Sequence, residues 1–485
     1  MHSRSTLALL VGLLVIALAI AGCRQDEEAA EPADDEDPDD AAVDDEPDDD
    51  DEEPDDDEPE EEEEPDEEDE DPDDEDEEEA PEAPGAGVTE EPCPEDVAVN
   101  EDNGCIYLGS LNDLTVGAFA QAGPLIQDAM EAFWAEVNED GGIGGYDVDI
   151  ETHIRDNEYV PEVQAEVFEE IRGDILGLGV SLGSSPTIAI RDELEGDDMF
   201  AVPMAWNSDF PFDPVMLETG PNYCVDSMNA VDYYIENAED VDTIMSVHYP
   251  NDYGQDSDVG VRHAAEAVGA EHIGVQTPDG EENQADAIAE IVSQDPDLVI
   301  LTTNPTDAGA LVGESVAQGY EGFFIGHGPT WNVALLDSPA GEAMENFYWS
   351  VGPYPTYESD TPGHQAMQDA LGEAGEGEPR NNFHTAGWVS QYPIRDALEA
   401  AADEGEISRA AVMDAIHELD SVDYEGMLPE GSGNFAGEPN DRVVRASAMG
   451  EPDRESSSGL VNTEIEYEGP TAAEHDFDEP CRDSY

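Results

Sequence analysis

From residue 106 onward, short apolar runs alternate with amphipathic stretches at a regular spacing. The runs Ile106 to Ser110, Val148 to Ile154, Ile175 to Val180 and Phe200 to Ala205 predict four strands. After Cys224 the pattern starts again, with strands expected at Thr243 to His248, His272 to Gln276, Leu298 to Thr302 and Phe323 to Gly326. The stretches between them are helical in period. Leu125, Ile126, Ala129, Met130, Phe133, Trp134 and Val137 fall on one face. Strand and helix in alternation imply parallel sheets covered on both sides. Two successive halves exceed one ordinary core, so the expected fold is α/β, with two doubly wound parallel-sheet lobes. Ligands of such sheets sit beyond the carboxyl ends of the strands, which places a shared cleft between the lobes. An apolar run at Asn346 to Val351 and a single helix over Gly387 to Ala401 follow, so the chain is expected to cross between lobes more than once and form a hinge. Ser456 to Tyr485 reads as a polar, weakly patterned tail.

The first ninety or so residues follow different rules. Leu7 to Ala21 is apolar with Arg4 as its positive flank, and is too short to span a bilayer comfortably. It closes in Leu18, Ala19, Ile20, Ala21, Gly22, Cys23, which resembles the lipobox of bacterial lipoproteins. The resemblance implies lipidation of Cys23, removal of residues 1–22 and a protein held by a lipid anchor at the outer face of the cytoplasmic membrane. From Asp26 to Glu91 about two residues in three are acidic and none is aromatic. Such a tract cannot offset its chain entropy by burial, so residues 23–92 are expected to be a disordered spacer, longer than the roughly 45 Å of a neutral linker this size.

Charge extends the same reading to the whole chain. Its 126 acidic and 13 basic residues give a formal net charge of −113, and every basic residue is Arg. Nucleic acid is excluded as a partner. A dense carboxylate surface keeps a protein hydrated at high salt, where repulsion is screened within about 3 Å, so a salt-loving host is expected. Cys93, Cys105, Cys224 and Cys481 remain after Cys23, and an even count outside the membrane suggests disulfides. A local Cys93 to Cys105 bridge fits the loop they bracket, leaving Cys224 for Cys481, yet all three pairings stay open.

A family resemblance then enters on specific residues. Gly109 to Thr115, Ala118, Phe119, Ala120 and Gly123 precede Asn138, Glu139, Asp140, Gly141, Gly142, Ile143, Gly144 and Gly145, and the next strand ends in Asp156. Further along come Gly183, Ser184, Ser185, then Asn251, Asp252, Tyr253, Gly254, then Asp295, Pro296, Asp297. In order and spacing these resemble the substrate-binding proteins of branched-chain amino acid ABC transporters, over Cys105 to about Arg445. The resemblance implies the periplasmic binding protein type 1 fold, a monomer that captures a small solute, and permease subunits as partners. It implies lobes of residues 93–223 with 351–425 and of 224–350 with 426–450, leaving 451–485 as the tail.

The resemblance also points to ligand-binding positions. Ser184 and Ser185 match the hydroxyls that hold a carboxylate, and Tyr253 matches a tyrosine that covers the ligand. Trp206 stands where the family has Thr, with Asn207 beside it, and the loop from Gly326 to Trp331 lacks the family's carboxylate for an ammonium group. A free α-amino group left unpaired in a dry cleft costs several kcal/mol. The expected ligand is therefore a small polar metabolite, an amino acid or a related amide or carboxylate, with Trp206, Tyr253 and Trp331 as walls and Asn304 and His327 as polar contacts. A sensory receptor is the alternative. No metal or cofactor motif is present, and the reading is of a binding protein and not an enzyme. Gly179, Val180, Ser181, Leu182, Gly183 matches the Gly-x-Ser-x-Gly elbow of hydrolases, with a triad as its requirement.

Overall fold

The computed structural model describes residues 85–237, 241–372 and 380–485. Cys23, the expected signal segment 1–22 and the acidic tract to residue 84 lie outside the described residues. Structure begins before the expected spacer boundary at 92, because strand β1 (Val88–Thr89) pairs antiparallel with the start of β2 (Gly104–Asn112). β2 pairs in parallel with both β3 (Tyr146–Asp156) and β4 (Gly177–Leu182), and β4 with β5 (Ala201–Met204). These make the first lobe's sheet.

The second sheet has seven strands: β6 (Thr243–His248), β7 (Glu271–Gln276), β8 (Leu298–Thr302), β9 (Phe323–His327), β10 (Tyr348–Gly352), β11 (Ser447–Pro452) and β12 (Leu460–Tyr467). Their order is β12-β11-β10-β9-β8-β6-β7, parallel from β7 to β10 and antiparallel across β11 and β12. Alternation along the strands feeds two cores. Val299 and Leu301 enter the core on one face, Leu298 and Ile300 the core on the other.

All eight strands expected from the apolar pattern are present, and two expectations change. The single helix over Gly387 to Ala401 is two helices, Asn382–Val389 and Tyr392–Glu404. Pro393 has no N–H to donate and is tolerated only in a first turn, so the chain breaks at Ser390 and Gln391 and restarts there. The tail is no tail: it supplies β12 and the helix Pro470–Glu474, and Cys481 is bonded to Cys224. The other bridge joins Cys93 to Cys105. After β10 the chain returns to the first lobe, where Met367, Trp388, Tyr392 and Leu398 join the core beneath β2 and β4. It crosses between lobes after β5, after β10 and between Phe435 and Ser447.

Candidate functional site

The lobes meet at the carboxyl ends of their strands, and a cleft lies there. The first lobe supplies Phe119, Ala122 and Ile126 from the loop and helix after β2, Tyr159 from the loop after β3, and Leu182 and Met204 from the ends of β4 and β5. Tyr223 and Tyr253 close it from the second lobe's first two helices, with Trp206 at the crossing and Phe383 and Ala386 on the returning helix. None of these lining side chains is charged. Burial pushes the Tyr223, Tyr253 and Tyr159 hydroxyls well above the ordinary tyrosine value, so all three stay neutral.

Local backbone builds the turn after β4. Gly183 has φ of 104°, and a Cβ there would stand 2.6 Å from the Tyr159 ring, so only glycine lets this turn approach the cleft wall. Ser184 follows, fully buried, with a hydroxyl that has no hydrogen-bond partner. Ser185 Oγ donates to Asp252 Oδ2 at 2.6 Å, a direct bond between the first lobe and the first turn of the second lobe's helix Asp252–Val268. Arg482 binds Asp252 as well, and reaches Asp209 in the turn of the crossing segment at 3.0 Å.

The remaining residues expected at the site fall in different places. Trp206 lines the cleft, with Nε1 donating to Thr219 O at 2.8 Å. Tyr253 lines it too, its hydroxyl directed at Thr303 O. Trp331 lies outside the cleft, in an adjoining cavity, stacked on Tyr348. Asn207 is fully buried with both amide atoms unpartnered. His327 sits beneath Tyr223 and Tyr253, its Nε2 3.0 Å from Ser227 Oγ and 3.1 Å from Ser257 Oγ, where it orders the tyrosine wall and does not line the cleft. Asn304 caps the helix Pro305–Ala317 and donates to Asp279 at 2.8 Å, in a third space that carries charge, with Asp279, Glu281 and Asp307.

Ser181 is fully buried near the end of β4, its hydroxyl held by Gln164 Nε2 and Thr187 Oγ1, both at 2.7 Å. The Gly-x-Ser-x-Gly run is a strand end with its serine turned into the core. The wall residues that sequence reasoning missed, Tyr159, Met204, Tyr223 and Phe383 among them, share one signal: each lies just past a strand end or at a helix start.

The model of the periplasmic binding protein family matches residues 106–457. The chain belongs to that family. Its likeness to solved structures bears out the expected fold. This periplasmic binding protein is 24% identical to a fatty acid ABC transporter substrate-binding protein from Thermomonospora curvata, with a TM-score of 0.74 over 81% of this chain and 96% of that one. A branched chain amino acid ABC transporter protein from Thermus thermophilus with bound valine gives 16% identity and a TM-score of 0.65, covering 76% and 98%. A solute binding protein of an ABC transporter from Rhodopseudomonas palustris HaA2, in complex with p-hydroxybenzoic acid, gives 16% and 0.63, with the same coverage. No curated protein matches the periplasmic binding protein in sequence.

Proposed function

We propose that this protein is a lipid-anchored solute receptor that delivers its ligand to an ABC permease, and that the ligand has a predominantly apolar body. The carrying observation is the uncharged cleft. In a chain with 126 acidic residues among 485, this cleft is walled by aromatic and aliphatic side chains, and Asp279, Glu281 and Asp307 border the neighbouring space between the lobes instead. Such walls return about 25 cal/mol per Å² of apolar surface taken from water, whereas an unpaired ammonium group placed there costs several kcal/mol. The reading thus moves away from the small polar metabolite expected from sequence, and from a zwitterionic amino acid, toward an acyl or aryl acid or a similar solute. The likeness to the fatty acid transporter protein from Thermomonospora curvata and to the Rhodopseudomonas palustris protein in complex with p-hydroxybenzoic acid supports the same class. Ser184, with its free hydroxyl beside Gly183, is the position for the ligand's polar end.

Binding across both lobes favours the shut form, which is the shape a permease distinguishes from the empty one. Thermal unfolding in molar salt tests the reading with leucine, valine, p-hydroxybenzoate, octanoate and urea. A ligand at a hundred times its Kd adds about 2.7 kcal/mol. Stabilisation by octanoate or p-hydroxybenzoate with none by leucine or valine is expected; stabilisation by the amino acids alone refutes it.

A further inference from the structure

A second space adjoins the cleft at Trp206. Trp206, Pro329, Phe383 and Ala386 line both the cleft and the cavity that contains Trp331, so the two spaces are neighbours across these four side chains. The second cavity is bounded by the loop after β9, by β10, β11 and β12, by the crossing at Pro353 to Thr356 and by the start of the helix Asn382–Val389. Nothing charged lines it either.

Resting on the apolar-solute reading, we propose that this second cavity is a subsite for the far end of an elongated alkyl or acyl chain whose near end occupies the cleft. The heteroatoms of two rings that border it are already engaged. Trp331 Nε1 donates to Ser458 O at 2.9 Å, and the Tyr354 hydroxyl to Thr219 O at 2.5 Å, so both rings present carbon to the space. Asn332, Asn381, Asn382 and Asn462 each accept a backbone N–H at 2.9 to 3.0 Å, those of Ala334, Phe383, Tyr357 and Thr356. The carbon surface of Trp331, Val333, Tyr354, Phe383, Met449 and Leu460 is what an alkyl chain would contact there.

The glycines of the cavity carry the same message. A Cβ on Gly328 would lie 3.7 Å from Pro353 Cδ and 3.8 Å from Gly352 Cα, and one on Gly352 would lie 3.5 Å from Gly328 Cα. These are ordinary contacts, and neither residue has a positive φ. Packing and backbone would accept a side chain at both positions, and the glycines leave volume open between the loop after β9 and the end of β10.

A chain-length ladder tests the subsite: calorimetric titration with butanoate, octanoate, dodecanoate and hexadecanoate, and with the matching alkanols to separate the head group from the chain. Each methylene buried in the second cavity is expected to tighten binding about fourfold, so affinity climbs well past octanoate. Gly328→Val and Val333→Trp narrow the cavity from two sides, and circular dichroism identifies which of them folds. Either folded variant is expected to flatten the climb beyond octanoate and to leave butanoate and octanoate within about twofold of the parent. A plateau at octanoate in the parent protein, or a parallel loss at every length in the variants, overturns the subsite and leaves the cleft reading standing. No binding by any acid or alkanol overturns the apolar-solute reading, and the subsite with it.

Discussion

Asp256 sits fully buried on the helix Asp252–Val268, where its carboxylate accepts from Ser208 Oγ, from Ser208 N at 3.1 Å and from Cys224 N at 3.3 Å. Burial is the main cause that drives its pKa up to about 7; the Ser208 hydroxyl works against the rise and Asp209 adds to it. The unfolded chain holds this group near the ordinary aspartate value of 3.8. Between those values the folded protein keeps a proton that the unfolded chain has lost. Stability from this group therefore falls as pH rises from about 4 to about 7 and levels off above. The difference of roughly three pKa units corresponds to about 4 kcal/mol. Asp256→Asn keeps the shape of the protonated acid and removes the titration. Urea unfolding of both proteins at fixed molar salt, from about pH 4 to about pH 8, isolates the effect. His364, His384 and His475, which burial lowers to about 4, act in the opposite direction and cancel in the comparison, as do the exposed carboxylates. The advantage of the Asn variant over the parent is expected to grow by about 4 kcal/mol across the window. A pH-independent difference refutes the reasoning.

Three more outcomes follow from the same junction and cleft. Replacing Cys224 and Cys481 together by Ala opens a closure between residues 257 apart, and chain entropy sets the loss at about 5 kcal/mol, read as a lower urea midpoint; a loss under about 1 kcal/mol contradicts this. Ser185→Ala removes the bond to Asp252 that exists only when the lobes meet, so octanoate affinity should fall about tenfold with little change in melting temperature; unchanged affinity would detach that bond from closure. Met204→Asp places a charge in the uncharged cleft, and octanoate binding should weaken by at least about a hundredfold by titration, whereas equal binding would put the ligand elsewhere.

The parallel strands were legible because both their faces are buried: β8, Leu298–Thr302, is five consecutive buried residues and appears as one apolar run. β12 escaped for the opposite reason. Its residues from Val461 onward face solvent or are half-buried at the sheet edge, and Glu464 and Glu466 interrupt any apolar run. At the site, motif matching led to hydroxyls, amides and His327, since chemistry is what motifs record. An apolar wall leaves no such mark. Phe119 facing the cleft and Phe168 inside the core look alike in sequence, and only the meeting of segments some 260 residues apart, Phe119 with Phe383, separates them.

The first lobe's sheet is complete once the chain has reached Met204, but the second lobe needs β12 to cover β11 and Cys481 to reach Cys224. Its final form thus waits for residues 460–481. A chain cut short before Leu460 would expose β11 as a bare edge, an invitation to pair with a neighbouring chain. Residues 460–481 thus change the character of that edge: β12 covers β11 and presents Glu464 and Glu466 outward, charges that resist pairing with a neighbouring chain.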